Sequence, residues 1–288
     1  MAYLSGLGFS IKHTPLPPAQ HGYLNGTDAT RAAAFNTLLS DPAVDAIFCT
    51  RGGYGTSRIL PLIDYNAARQ YPKLLVGYSD ITALQLALYT RSNWRSLSGP
   101  MVAVEWGKLD PRCEAQFWAF ATNTAAFELE NITGAPFQCI QAGEHTGKLL
   151  GGNLAVLSRL VGTPFLPDLQ GAILFLEDVN EPAYKIDAML SQLKLSGIWD
   201  NLGGLILGQF TDESHPEHTP AEIDEVFQDY CENVAFPVAS GLRYGHIPVK
   251  NSMPVGVDAR LRVTPTQTEL HILEPLVTHN NRTSANRT

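Results

Sequence analysis

Lys73-Leu74-Leu75-Val76-Gly77-Tyr78 runs directly into Ser79-Asp80-Ile81-Thr82-Ala83-Leu84-Gln85-Leu86-Ala87-Leu88-Tyr89. A mostly apolar run of strand length is followed, without a spacer, by an Ala/Leu-rich run of helical length, so Ser79 stands on a strand-to-helix turn. The residues upstream show the same alternation. Residues 29–40 read as a helix, and Val44-Asp45-Ala46-Ile47-Phe48-Cys49 reads as a short strand ending in the turn Arg51-Gly52-Gly53-Tyr54-Gly55. Strands alternating with helices imply a parallel α/β sheet, in which working residues sit in loops at the carboxyl ends of strands.

Regularity lapses between about residues 121 and 147, where Asn-Thr and Gly-Pro segments suit a crossing between domains. The predicted organisation is an α/β domain over 1–120, a link over 121–146, a β-rich domain over 147–279 and a disordered polar tail over 280–288. Helices are expected over 153–161, 185–193 and 221–232, the last opened by Pro220 with Thr219 as N-cap. Strands are expected over 172–176 and 205–207. Residues 261–264 and 269–273, around Pro265-Thr266-Gln267-Thr268, read as a β-hairpin.

With 288 residues, 44% of them hydrophobic and 17% charged, the chain can bury a large core. A net charge of −8 and a pI near 5.4 argue against nucleic acid or an anionic membrane as partner and favour a small or neutral-to-acidic solute. Cys49, Cys113, Cys139 and Cys231 are widely spaced and form no CxxC pair, which argues for a reducing compartment and against a zinc knuckle or a disulfide framework. No basic segment followed by a long apolar one opens the chain, and no window has the length of a spanning helix, so a soluble, cytoplasmic protein is expected.

Ser79 suits acyl transfer because a tight turn exposes its hydroxyl while the first free amides of the next helix can hold an oxyanion. The motif departs from GxSxG, with Ile81 at the second glycine, and a plain helix N-cap is the alternative. The Arg51–Gly55 glycines could aim a second N–H at the same oxygen, or form an ordinary turn; Arg58 at the third glycine position of GxGxxG argues against a dinucleotide loop. A serine nucleophile needs a base and the base needs an acceptor. Among eight histidines, His246 is the best candidate, in a loop after the apolar Phe236-Pro237-Val238-Ala239, whereas His271 reads as a strand residue and His13, His21 and His279 lie in polar termini. The acceptor candidate is Glu177, at the end of the apolar run 172–176, with Asp178 as its rival. Asp212-Glu213-Ser214-His215-Pro216-Glu217-His218 reads as a solvated loop rather than a metal cluster, so no metal and no cofactor is assigned.

Six segments, in order over roughly residues 20–260, resemble the LD-carboxypeptidase family, which includes the microcin-immunity peptidases. They are Ile47-Phe48-Cys49-Thr50-Arg51-Gly52-Gly53-Tyr54-Gly55, Gly77-Tyr78-Ser79-Asp80-Ile81-Thr82-Ala83-Leu84, Gly99-Pro100-Met101, Gly151-Gly152-Asn153-Leu154, Leu176-Glu177-Asp178-Val179 and Gly245-His246. The resemblance implies a Ser-Glu-His triad on Ser79, Glu177 and His246, with backbone amides of Gly53 and Asp80 as the oxyanion hole. It implies a flavodoxin- or Rossmann-like amino-terminal α/β sandwich bearing the serine, a β-rich carboxyl-terminal domain bearing Glu177 and His246, a site between them, and a homodimer. Members usually begin with a strand and a Pro-Ser loop that this sequence lacks, and a missing first strand would expose a sheet edge.

The activity implied is release of terminal D-alanine from murein tetrapeptide at its L,D bond, in cell-wall recycling. On charge and position, Arg51 and Arg243 are candidates for holding the substrate's terminal carboxylate. Two alternatives stand beside this reading: an amidase acting on a peptidyl-nucleotide antibiotic, as in the immunity branch, and a non-catalytic small-molecule binding protein in which Ser79 only caps a helix.

Overall fold

The computed structural model describes residues 1–14, 20–123, 125–212, 214 and 219–277. From the amino terminus come helix α1 (Ala2–Gly6), the ribbon β1 (Gln20–His21) and β2 (Leu24–Asn25), helix α2 (Asp28–Ser40), strand β3 (Ala46–Phe48), helices α3 (Thr56–Ile59) and α4 (Tyr65–Gln70), and strand β4 (Leu74–Val76). Helix α5 (Thr82–Ser92), strand β5 (Ser96–Ser98), helix α6 (Pro111–Thr122) and strands β6 (Phe127–Glu128), β7 (Gln138–Gln141) and β8 (Gly143–Asn153) follow. The remainder is α7 (Leu154–Ser158), β9 (Ile173–Val179), α8 (Ala183–Leu195), β10 (Gly204–Thr211), α9 (Ala221–Cys231), β11 (Val238–Ser240), β12 (Met253–Val255), β13 (Val257–Val263) and β14 (Thr268–Ile272).

These strands make two mixed sheets besides the β1–β2 ribbon. The smaller runs β12-β5-β4-β3, with β3, β4 and β5 parallel. The larger runs β6-β14-β13-β8-β9-β10-β11-β7, parallel from β8 to β11 and antiparallel outside that centre. The fold is α/β, as the alternation of strand and helix implied, and the hairpin forms with Val263 opposite Thr268. Helix α5 packs against α4, α7 and β8, and its residues from Thr82 to Leu88 are all buried, so it is covered on every side. Each such buried leucine contributes about 1.5–3 kcal/mol. Within that run the Gln85 amide nitrogen donates to the carbonyl of Gly77 at 3.0 Å, and its buried Oε1 has no hydrogen-bond partner among the described residues.

The structure also departs from the expectations. Residues 121–146, read as an irregular link, contribute β6, β7 and the start of β8, all to the larger sheet. These strands are very short or supply an edge whose partner lies far along the chain, so a local pattern carries little of their signal. Strand β12 returns to the smaller sheet, where Met253 stands opposite Ser98. Thr219 does not cap α9: Pro220 holds the N-cap position, and the Thr219 hydroxyl accepts the N–H of Phe210 at 3.4 Å. Among the described residues, β3 is an edge strand of the smaller sheet. The expected polar tail over 280–288 lies outside the described residues.

Candidate active site

Ser79 leaves β4 at its carboxyl end with φ of +64°. A left-handed conformation at a non-glycine residue costs on the order of 1–3 kcal/mol and persists only where the surroundings impose it. Those surroundings are close. A Cβ added at Gly52 would stand 2.9 Å from the Ser79 Cβ, so the glycine turn after β3 rests directly on the serine. On the other side, a Cβ at Gly77 would be 3.1 Å from two Ile81 side-chain carbons. Ile81 therefore fills the space that the glycine leaves, which accounts for the departure from GxSxG. The position before the short 3-10 turn Ser79–Ile81 is held by Tyr78, with no side-chain cap. Ser79 is not an N-cap; its Oγ lies 3.0 Å from Nε2 of His246.

Across the site, β8 and β9 run in parallel with Asn153 opposite Glu177. Glu177 is fully buried, and its Oε2 lies 2.8 Å from Nδ1 of His246. The Asn153 amide donates to Glu177 Oε1 at 3.3 Å and to Asp178 Oδ1 at 2.9 Å. Asp178 is engaged elsewhere, accepting the N–H groups of Ala155 at the start of α7 and of Val179 at the end of β9, each at 2.8 Å. Burial, reinforced by the charge of Glu177, pushes its carboxyl up to about 7. Of the two rivals, Glu177 is the one that meets the imidazole. Burial on its own would lower the His246 pKa, but the charge and hydrogen bond of Glu177 outweigh it, and the net direction is upward.

The loop bearing His246 is seated by an irregularity in β10, where the pairing with β9 shifts between Leu207 and Phe210. There the Gln209 N–H donates to the Tyr244 carbonyl at 2.8 Å and the Leu242 N–H donates to Leu207 at 3.2 Å. A Cβ at Gly208 would stand 2.6 Å from the Tyr244 carbonyl oxygen, so only glycine admits the loop this closely. The result is a continuous chain, Ser79 to His246 to Glu177, drawn from the ends of β4 and β9 and the loop after β11. Such a chain can deprotonate a hydroxyl and stabilise the imidazolium that forms.

Profiles of the LD-carboxypeptidase N-terminal domain and the LD-carboxypeptidase C-terminal domain match residues 1–99 and 146–261. The chain belongs to the LD-carboxypeptidase family. A probable murein peptide carboxypeptidase of Bacillus subtilis (strain 168) is 33% identical over 264 residues, covering 91% of this chain and 82% of that protein. Among solved structures, an MccF-like protein from Bacillus anthracis superposes with a TM-score of 0.85 at 26% identity, covering 95% of this chain and 89% of the other. A muramoyltetrapeptide carboxypeptidase from Oxalobacter formigenes gives 0.80 at 28% identity, with 95% and 93% covered. At the level of the family, the chain is a serine peptidase of the carboxypeptidase type.

The remaining candidate residues of this family member fall in different places. Asp80 is buried, with its carboxylate on Thr56. Gly53 is exposed at the tip of the glycine turn with φ of +110°. Among the described residues, no acceptor pairs with the N–H of Gly53 or of Asp80. Arg51 is exposed beside Gly52. The Arg243 guanidinium turns into its own loop and donates to the Val249 carbonyl at 3.5 Å. Most of the histidine-rich stretch 212–218 lies outside the described residues, and among the described residues no cluster of His, Cys, Asp and Glu forms a metal site. Residue-by-residue reading did not single out Asn153, Tyr78, Glu105 or Lys250. Asn153 carried one usable signal, a Gly-Gly-Asn sequence at a strand-to-helix junction like that of Ser79, whereas Glu105 and Lys250 meet only through tertiary structure.

Proposed function

We propose that this family member is a serine carboxypeptidase that hydrolyses the L,D bond of murein tetrapeptide and releases terminal D-alanine. Ser79 is the nucleophile, His246 the general base and then acid, and Glu177 the acceptor that orients the imidazole. The observation that carries this reading is the hydrogen-bonded chain Ser79 Oγ, His246 Nε2 at 3.0 Å, His246 Nδ1, Glu177 Oε2 at 2.8 Å. Ser79 Oγ attacks the carbonyl carbon while its proton passes to Nε2. Breakdown of the tetrahedral intermediate returns that proton to the departing amine of D-alanine, leaving an acyl-enzyme. Water, deprotonated by the same imidazole, then releases the shortened peptide and Ser79.

Backbone N–H groups of Gly53 and Asp80 are assigned to the oxyanion, where each such donor is worth about 3–4 kcal/mol in the transition state. Arg51 is the candidate partner for the substrate's terminal carboxylate; Arg243, committed to its own loop, is the weaker one. The same reading assigns the protein to cell-wall recycling in the cytoplasm, as a homodimer. The structural likeness to an MccF-like protein supports a second reading, hydrolysis of a peptidyl-nucleotide antibiotic by the same chemistry. The deciding assay offers both substrates to wild type and to Ser79→Ala. D-alanine release by wild type alone supports the first reading, cleavage of the antibiotic conjugate alone supports the second, and full activity of Ser79→Ala overturns the assignment of the nucleophile.

A further inference from the structure

Next to the Ser79–His246 contact lies a buried ion pair that the proposed chemistry does not use. Lys250 Nζ is 2.9 Å from Glu105 Oε1, with side chains only 9% and 13% exposed. The same Glu105 oxygen accepts the Tyr78 hydroxyl at 2.6 Å, and its other oxygen accepts the Met101 N–H at 2.8 Å. Lys250 Nζ also stands 3.7 Å over the centre of the Tyr78 ring. That ring lies 5.1 Å, centre to centre, from the imidazole of His246. Tyr78 directly precedes Ser79, and Lys250 follows His246 by four residues, so one carboxylate is tied to both the serine-bearing turn and the histidine-bearing loop.

A buried ion pair is a poor device for stability, because desolvating two charges cancels most of their attraction. Its value lies in geometry: four contacts converge on two side chains and leave Tyr78 little freedom. We propose that Glu105 and Lys250 are positioning residues, a clamp that presses Tyr78 against the imidazole and so sets the spacing between Ser79 Oγ and His246 Nε2. The proposal rests on the Ser79–His246 reading above and adds to it the means by which the two segments are held in register.

The clamp also has an electrostatic consequence. The charged groups that act on His246 are Glu177 and Asp178 from the end of β9 and Lys250 from its own loop, with the Tyr78 ring beside it and Glu105 behind Lys250. The two carboxylates favour the imidazolium, and the Lys250 cation opposes it. Lys250 therefore keeps more of His246 in the neutral form that can accept a proton.

The test compares wild type with Lys250→Met, Glu105→Gln, Tyr78→Phe and Lys250→Arg, measuring the rate of Ser79 labelling by a fluorophosphonate against pH and the titration midpoint of the His246 imidazole by NMR. Limiting labelling rates are expected to fall ~10-fold or more in Lys250→Met and Glu105→Gln, and less in Tyr78→Phe, as befits lost positioning. The imidazole midpoint of Lys250→Met moves to higher pH, and Lys250→Arg brings it back; a residue that served stability alone would leave it in place. Rates within twofold of wild type and an unmoved midpoint in Lys250→Met and Glu105→Gln overturn the clamp. If Lys250→Met does not fold, Tyr78→Phe decides, since it removes one hydroxyl and keeps the ring. A wild type that does not label overturns the nucleophile instead, and the imidazole midpoints still test the clamp.

Discussion

The buried carboxylate of Asp80 accepts both the backbone N–H and the hydroxyl of Thr56, at 2.9 and 2.6 Å. Asp80 adjoins Ser79, and Thr56 opens α3 directly after the Arg51–Gly55 turn, so the two contacts fasten that turn to the one that carries Ser79. Hydrogen bonds to a charged group contribute about 1.5–3 kcal/mol each. Thr56→Val removes one and keeps the other, and is expected to lower kcat with little change in KM. Asp80→Ala removes both and is expected to lower stability by at least ~2 kcal/mol and kcat further. Denaturant titration beside steady-state kinetics checks this; kcat at the wild-type level in both variants would separate the fastening from catalysis.

Glu177→Gln is expected to leave the fold largely intact and to slow turnover ~100-fold or more, because the amide holds the imidazole without stabilising its cation. The pH dependence has a definite sign. In the proposed mechanism His246 serves as a base only when neutral, so the rate is expected to rise with pH through its pKa, which Glu177 holds above the ordinary 6.5. Without that carboxylate the effect of burial dominates, and the acidic limb of kcat/KM moves to lower pH. For stability, a raised histidine contributes below 6.5 and loses the contribution as pH rises through its folded value. The stability gap between wild type and Glu177→Gln should therefore widen on acidification from neutrality, as seen by melting at pH 6 and pH 8. Unchanged kinetics would transfer the orienting role to another group.

Gly52→Ala places a methyl group 2.9 Å from the Ser79 Cβ and 3.1 Å from its Oγ. Real Cβ atoms essentially never approach within 3.0 Å, so either the serine or the glycine turn must shift. Loss of most activity is expected, with a stability cost of about 1–3 kcal/mol from the overpacking. Fluorophosphonate labelling beside a thermal melt resolves the two effects, and wild-type labelling would mean that the turn yields without disturbing Ser79.

Much of this site was legible as separate pieces. Ser79 could be found from an apolar run meeting a helical one, and Glu177 from a carboxylate ending the apolar strand that became β9, because burying such a charge demands a partner. His246 stood out only by elimination among eight histidines. What local pattern could not supply was their meeting: resemblance supplied the Ser-Glu-His set, and the structure then showed the contacts. The strands within 121–146 escaped because their partners, β11, β13 and β14, lie about a hundred residues or more onward, and two-residue β6 has no period to read. Thr219 failed as a cap for a different reason: its hydroxyl satisfies a strand N–H at Phe210 instead. Glu105 and Lys250 are 145 residues apart and meet only through tertiary structure.

Chelation offers a test of the absence of a metal requirement. EDTA is expected to leave activity unchanged, since the proposed nucleophile is activated by an imidazole rather than by a metal ion. Loss of activity, restored by added zinc, would return attention to His215 and His218.

Gly208 tests whether the seat of the histidine loop matters as much as the residues that touch substrate. An alanine there brings its Cβ to 2.6 Å from the Tyr244 carbonyl oxygen and 2.9 Å from that of Leu176. Both are backbone atoms of packed elements, so no side chain can rotate away, and β10 must part from the loop or from β9. His246 lies two residues beyond Tyr244, and a shift of one ångström in a catalytic group can cost ~100-fold in rate. Gly208→Ala is thus expected to lose turnover and about 1–3 kcal/mol of stability together, with the acidic limb of kcat/KM displaced as the imidazole leaves Glu177. A melt near that of wild type with undiminished kcat would show that the irregularity in β10 only accommodates the loop and does not fix it.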